Sequence, residues 1–171
     1  GFFLCFCLTF FVFSSPAKAG DVAITSDVKF VNITPYLDYL EDPKSSYDIT
    51  DVSSGQLFKE FSPLNRSIFH QGLTSSTWWL KVRLGIPQAN NQKFSQTYGW
   101  ASKWLIEIPK INMGNVTFYI PDFTKQNGFQ QVEVHKQASL KYNKMYLNTV
   151  YPLTSSIGGK TIFIKINVNM V

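Results

Sequence analysis

Cysteine is almost missing from this chain. Its only two, Cys5 and Cys7, both fall within the first thirteen residues. The remainder therefore cannot be held by disulfides, and it offers neither a thiol nucleophile nor a cysteine metal site. Histidine is equally scarce, with only His70 and His135. No His-Glu-x-x-His pattern, no Gly-x-Ser-x-Gly nucleophile elbow and no phosphate-binding glycine loop occurs. His70 is the one candidate general base, and its ordinary reading is a surface loop histidine. These gaps point away from an enzyme, and no pattern calls for a cofactor or a metal. Arginine supplies two of the sixteen basic residues, Arg66 and Arg83. A formal charge of +5 is thus spread over scattered lysines. Nucleic-acid readers rely on clustered cations and bidentate arginines, so nucleic acid is not expected as a partner. Long amphipathic helical patterns and internal repeats are also absent.

What the chain does have is apolar and aromatic. Its 171 residues are 44% hydrophobic and only 16% charged, and 15 Phe, 8 Tyr and 4 Trp make up 16% of it. That length supports one domain with an ordinary core, and the aromatic enrichment favours strands. The first thirteen residues, GFFLCFCLTFFVF, form an uncharged apolar run, followed by Ser14-Ser15-Pro16 and Ala17-Lys18-Ala19. A short apolar stretch before a small-x-small site is the pattern of a cleavable export signal. The run falls short of the ~20 residues that span a membrane. The expected organisation is a signal peptide over residues 1–19, its start truncated, and a domain over residues 20–171. After cleavage the domain carries no cysteine, so its core alone must hold it.

Period-two alternation dominates the domain. Strands are expected at Val28–Thr34, Trp78–Ile86, Trp104–Ile108, Asn115–Ile120, Phe129–His135, Met145–Leu153 and Thr161–Val168, with a short extended segment at Tyr47–Asp51 and a tight turn at Asn127-Gly128. Asp51 is expected to cap one short helix over Val52–Phe61, weakened by Gly55. Eight or nine short strands with turn signals between them predict an all-β fold, an antiparallel jelly-roll β-sandwich with at most one short helix. The last strand runs nearly to Val171, as if the domain's neighbour follows directly.

Alternation also sorts the tryptophans. Trp78 shares a face with Leu80, Val82 and Leu84 and belongs to the core. Trp79 shares the opposite face with Lys81 and Arg83 and is the candidate for the surface. Flat aromatic rings stack on the C–H faces of sugars, so Trp79, Trp100, Trp104 and Arg83 are the candidate ligand-binding residues. Glu41 and Asp42 are adjacent carboxylates that a calcium ion would suit, but Asp42 before Pro43 reads as turn chemistry. Adjacent carboxylates cannot face each other across a cleft as glycoside hydrolysis needs.

The order of several motifs resembles one family, the type 2 extracellular domain of seven-transmembrane receptors with diverse intracellular signalling modules. The resemblance is carried by Tyr39-Leu40-Glu41-Asp42-Pro43, Asp48-Ile49-Thr50-Asp51-Val52, and Gly72-Leu73-Thr74 leading into Trp78-Trp79-Leu80-Lys81-Val82-Arg83-Leu84. It continues through Leu105-Ile106-Glu107-Ile108-Pro109, Val116-Thr117-Phe118-Tyr119, Tyr151-Pro152-Leu153 and Thr161-Ile162-Phe163-Ile164. The chain departs from the family at Ile111-Asn112, His135-Lys136-Gln137 and Lys165. The resemblance implies a periplasmic domain similar to carbohydrate-binding modules, placed before a seven-helix membrane region that begins beyond Val171. A histidine kinase or diguanylate cyclase output would follow. The expected partner is a carbohydrate or related small molecule. The alternative is a structural or protein-interaction domain that pairs receptors as homodimers and binds no small molecule.

Overall fold

The computed structural model of the protein describes residues 22–23, 30–72, 74–85, 105–108, 115–133, 149–152 and 157–168. The expected signal segment, Trp100, Trp104 and His135 lie outside the described residues. Among the described residues nine strands and two short α-helices follow one another: β1 (Val22–Ala23), β2 (Asp38–Asp42), α1 (Ile49–Ser53), α2 (Leu57–Glu60), β3 (Ser62–Pro63), β4 (Thr77–Gly85), β5 (Leu105–Ile108), β6 (Asn115–Pro121), β7 (Phe129–Glu133), β8 (Thr149–Pro152) and β9 (Thr161–Asn167). The main sheet has the order β3-β2-β4-β9-β6-β7, all antiparallel along that path. β1 adds a short parallel pairing with the end of β4, Val22 opposite Leu84. β5 and β8 form a separate antiparallel pair. The protein is thus an all-β sandwich.

Strand alternation builds the main core. Trp78, Leu80, Val82 and Leu84 of β4 lie on one face with Ile162, Ile164 and Ile166 of β9 and Val116, Phe118 and Ile120 of β6. Ile106 of β5 packs into this same cluster, so the small sheet forms the facing layer. Burying one such aliphatic side chain is worth ~1.5–3 kcal/mol. A core of this breadth accounts for a domain that needs no disulfide.

The opposite face of the main sheet is covered too. Leu40, Trp79, Tyr119 and Phe163 meet Ile49 and Val52 of α1 and Phe61, with Leu57, Tyr47 and Phe129 packed beside them. The covering segment holds one more helix than expected. α1 begins at Asp48, whose carboxylate accepts from the Thr50 and Asp51 amides, while Asp51 reaches back to the Asp48 amide. The cap is therefore Asp48 rather than Asp51, which supplies the other half of the capping box. Gly55, at φ +68, then breaks the path into two helices, because that left-handed conformation ends α1 and suits glycine.

Two other expectations shift, one of them at Tyr47–Asp51, where the chain does not stay extended but enters α1 at Ile49 behind the Asp48 cap. Residues 30–33 lie outside any strand, and Thr34–Tyr36 forms a 3-10 turn. The Asn32 side chain accepts from the Thr34 amide, and Pro35 pre-sets the turn, which competes with extension. The strand instead starts at Asp38. By contrast, the Asn127-Gly128 turn sits where expected: Gly128 takes φ +73 and the Asn127 side chain accepts from the Phe129 amide.

Candidate functional site

Antiparallel register places residues of the second face in rows across the sheet. One row runs Asp38, Lys81, Phe163, Tyr119, Gln131. The next runs Leu40, Trp79, Lys165, Thr117, Glu133. Arg83 faces Thr161 one step further out. Two lysines thus rise from a sheet face otherwise rich in aromatic rings, and both are used to hold the covering segment.

Lys81 Nζ donates to the Phe58 carbonyl at 3.1 Å, lies 3.5 Å from the Asp38 carboxylate, and sits 4.1 Å from the centre of the Phe58 ring. Lys165 Nζ donates to the Tyr47 carbonyl at 3.1 Å and lies 4.9 Å from the Trp79 ring centre. Each ammonium therefore binds a backbone carbonyl of segment 45–61 while resting on an aromatic face, a contact that is stronger where water is thinned out. Ser45 adds a third tie, bonding Thr77 Oγ1, which in turn donates to Asn167 Oδ1.

Burial pushes the Lys81 pKa below the ordinary lysine value of 10.5, against the opposing pull of Asp38. The unfolded chain then holds more protons than the folded one in the window below pH 10.5. The stability contribution of this group is present above that value and is lost as the pH falls through the lowered pKa. Wild type should therefore gain on Lys81→Met as the pH is raised toward 10.5, read by urea unfolding at each pH. A difference that stays flat across that range would contradict the assignment. Tyr119, raised by its own burial, acts in the reverse sense above pH 10.0 and is common to both proteins.

A shallow cleft of about 60 Å³ opens where this row meets the end of α2, lined by Tyr36, Asp38, Phe58, Lys81, Arg83 and Thr161. Tyr36 and Phe58 are 39% and 37% exposed, so both rings reach the rim. Arg83 is exposed, and its Nε donates to the Gly159 carbonyl at 3.0 Å.

Of the expected ligand-binding residues, Arg83 lies in this cleft. Trp79 does not. It is fully buried, 5.4 Å from Tyr119 between ring centres, because the helical segment covers the face that alternation left open. Trp79 is a core residue, as Trp78 is on the other side. Trp100 and Trp104 lie outside the described residues. Tyr36, Asp38, Phe58 and Thr161 were not singled out from the sequence. The available signal was Lys81 and Arg83 two positions apart on one strand face, which marks where polar groups gather.

The paired carboxylates divide as strand alternation demands. Asp42 is fully buried and accepts from the Ser46 and Tyr47 amides at 3.0 and 2.9 Å, which is the turn chemistry expected of it. Glu41 turns to the other side and accepts from Ser76 Oγ at 2.6 Å. Among the described residues no group of three or more His, Cys, Asp or Glu is placed to hold a metal ion. His70 is exposed in a loop and its Nδ1 accepts from the Gly72 amide at 3.0 Å.

Where they fall on described residues, the motifs that carried the family resemblance prove to be turn, cap and strand residues of the fold. The family model described as 7TMR-DISM extracellular 2 matches residues 34–170. The chain belongs to this family. As a 7TMR-DISM extracellular 2 domain it is an extracellular domain of seven-transmembrane receptors, and its place is outside the cytoplasm. The match takes in every element from the 3-10 turn at Thr34 through β9. Among curated proteins none matches the chain. No helix among the described residues of this 7TMR-DISM extracellular 2 domain is long and apolar enough to cross a membrane.

Proposed function

We propose that this domain is the ligand-sensing module of a bacterial membrane signalling receptor of the histidine kinase or diguanylate cyclase type. It takes a small polar ligand, a saccharide or a related molecule, at the cleft between Tyr36, Phe58 and Arg83. The observation that carries this reading is the meeting of two exposed rings with Asp38, Lys81, Arg83 and Thr161 on one sheet face. Ring faces stack on sugar C–H groups, and the ionic and hydroxyl groups satisfy sugar hydroxyls. Nothing in this arrangement needs to make or break a bond, so binding without turnover is expected.

Enclosed small-molecule sites hold ~300–1,000 Å³. The cleft, at about 60 Å³, admits a head group while the rest of the ligand lies across the rim. A ligand leaning on Phe58 acts on the segment that also touches β9 through Tyr47 and Lys165. Signalling follows if the ligand prefers one arrangement of that segment over another, since only differential affinity shifts an equilibrium.

Calorimetric titration against a panel of saccharides and small metabolites tests the proposal. Tyr36→Ala should weaken binding about tenfold, ~1.4 kcal/mol, with little change in melting temperature. Undiminished binding without the Tyr36 ring would remove the cleft from the proposal. A protein-interaction domain is the second reading, favoured by Phe123, which is 82% exposed at the tip of the β6–β7 hairpin with Lys160 Nζ 4.9 Å from its ring centre. Self-association that depends on concentration, with no response to any small molecule, would select it.

A further inference from the structure

Resting on the cleft reading above, we infer that α2 is a flap hinged at Gly55, and that the ligand lifts it to reach a covered row of Asp38, Lys81 and Phe163. These three residues stand directly opposite one another on β2, β4 and β9. Neighbouring strands lie ~4.8 Å apart, so the row sets an acceptor, a donor and a flat ring side by side. Phe58 of α2 forms the cover. Its ring centre is 6.4 Å from that of Phe163, and its carbonyl and its ring both hold the Lys81 ammonium. The Lys81 and Asp38 side chains are accordingly only 14% and 19% exposed, and Phe163 only 2%.

The two helices over this face are held very differently. α1 buries Ile49 and Val52 and carries a complete capping box. α2 buries no residue and has no side-chain cap, and from Ser54 to Glu60 every residue except the half-buried Leu57 is exposed. A four-residue helix does not stand on its own hydrogen bonds, so the contacts of Leu57 and Phe58 fix it in place. Gly55 separates the helices at φ +68, and no atom lies within 4 Å of where its side chain would begin, so the chain can turn there without collision. Val52 and Phe61, both buried, pin the two ends. A segment with few buried contacts between two fixed points is the kind that opens locally.

Opening frees Lys81 from the Phe58 carbonyl without stranding its charge, because Asp38 lies 3.5 Å away on β2 and does not move with α2. A sugar hydroxyl then accepts from Lys81, and the sugar ring lies on Phe163 where Phe58 was. The closed cleft of about 60 Å³ is too small for a sugar ring, and lifting α2 supplies the missing room. A ligand bound in this way prefers one arrangement of the segment, which is what a sensor requires.

Hydrogen exchange of the chain alone tests the hinge, and calorimetry with galactose, glucose and N-acetylglucosamine tests the site. Corrected for intrinsic rates, the amides of residues 57–60 should exchange about tenfold faster, or more, than that of Val52. Lys81→Met and Leu57→Ala should each widen that gap. Leu57 lies outside the cleft lining, so Leu57→Ala should also bind sugar about threefold more tightly, because a larger fraction of the protein is already open. Saturating sugar should speed exchange at 57–60, where a ligand held beneath a fixed Phe58 would slow it. Exchange at 57–60 as slow as at Val52 would overturn the flap and leave the cleft reading standing. Weaker binding by Leu57→Ala, or protection of 57–60 by sugar, would overturn it as well. If neither protein bound any of the three sugars, the covered site and the cleft reading would fall together.

Discussion

Trp79→Ala is expected to destabilise the domain by about 4 kcal/mol, the scale on which buried tryptophans are lost. The side chain is fully buried and packs with Tyr119, Phe163 and the residues of α1. Its removal leaves a cavity between sheet and helices that the surrounding rings cannot fill, and it strips Lys165 of the aromatic face beneath its ammonium. Trp79→Phe should cost far less, ~1–2 kcal/mol. The indole Nε1 is buried with no hydrogen-bond partner among the described residues, so phenylalanine removes an unsatisfied donor along with some volume. Chemical denaturation of the two variants measures both numbers. If Trp79→Ala lost ligand affinity at unchanged stability, the burial described for this residue would be wrong.

Asp42→Ala is the second large effect, about 3 kcal/mol, because hydrogen bonds to a charged acceptor are worth ~1.5–3 kcal/mol each and two backbone amides would lose the acceptor that the buried carboxylate provides. The carboxylate receives the Ser46 and Tyr47 amides and so turns the chain from β2 toward α1. The neighbouring Glu41→Ala should cost less than ~1 kcal/mol, since Glu41 is exposed and its one shown bond is to a hydroxyl that can reorient. Comparable losses for the two variants would contradict the division of labour between them. The thermal shift per kcal/mol is ~2–4 °C for a domain of this size, so the two variants separate clearly in a melting experiment.

These two residues also show what the sequence made legible. Alternation in β4 was readable because Trp78, Leu80, Val82 and Leu84 are all apolar, and the structure buries every one of them. Alternation assigns sides but not what lies on each. The cover over Trp79 comes from Ile49, Val52 and Phe61, some twenty to thirty positions upstream, and no local pattern announces that it folds back. Asp42 was readable because a carboxylate before proline has a strong local use. Asp51 reads as a cap because its residue type favours that place, and only the geometry shows Asp48 as the cap and Asp51 as its return partner. The cleft was the least legible feature. Its residues come from the turn before β2, from β2 itself, α2, β4 and β9, and only register brings them together.

The position of β9 has a consequence for how the domain comes into being. It follows every other described strand in the chain, yet it lies in the middle of the sheet, paired with β4 on one side and β6 on the other. Until residues 161–167 arrive, β4 and β6 each present an open edge of unpaired amides and carbonyls, the kind of surface that invites aggregation. A chain emerging from its amino end can close the β2–β4 and β6–β7 pairings early, but among the described strands it is β9 that hydrogen-bonds the two halves into one sheet. Folding must wait for the last strand, which makes the pairing long-range and slow. Truncation within β9 would therefore leave β3-β2-β4 and β6-β7 as separate strand groups rather than a smaller version of the same domain.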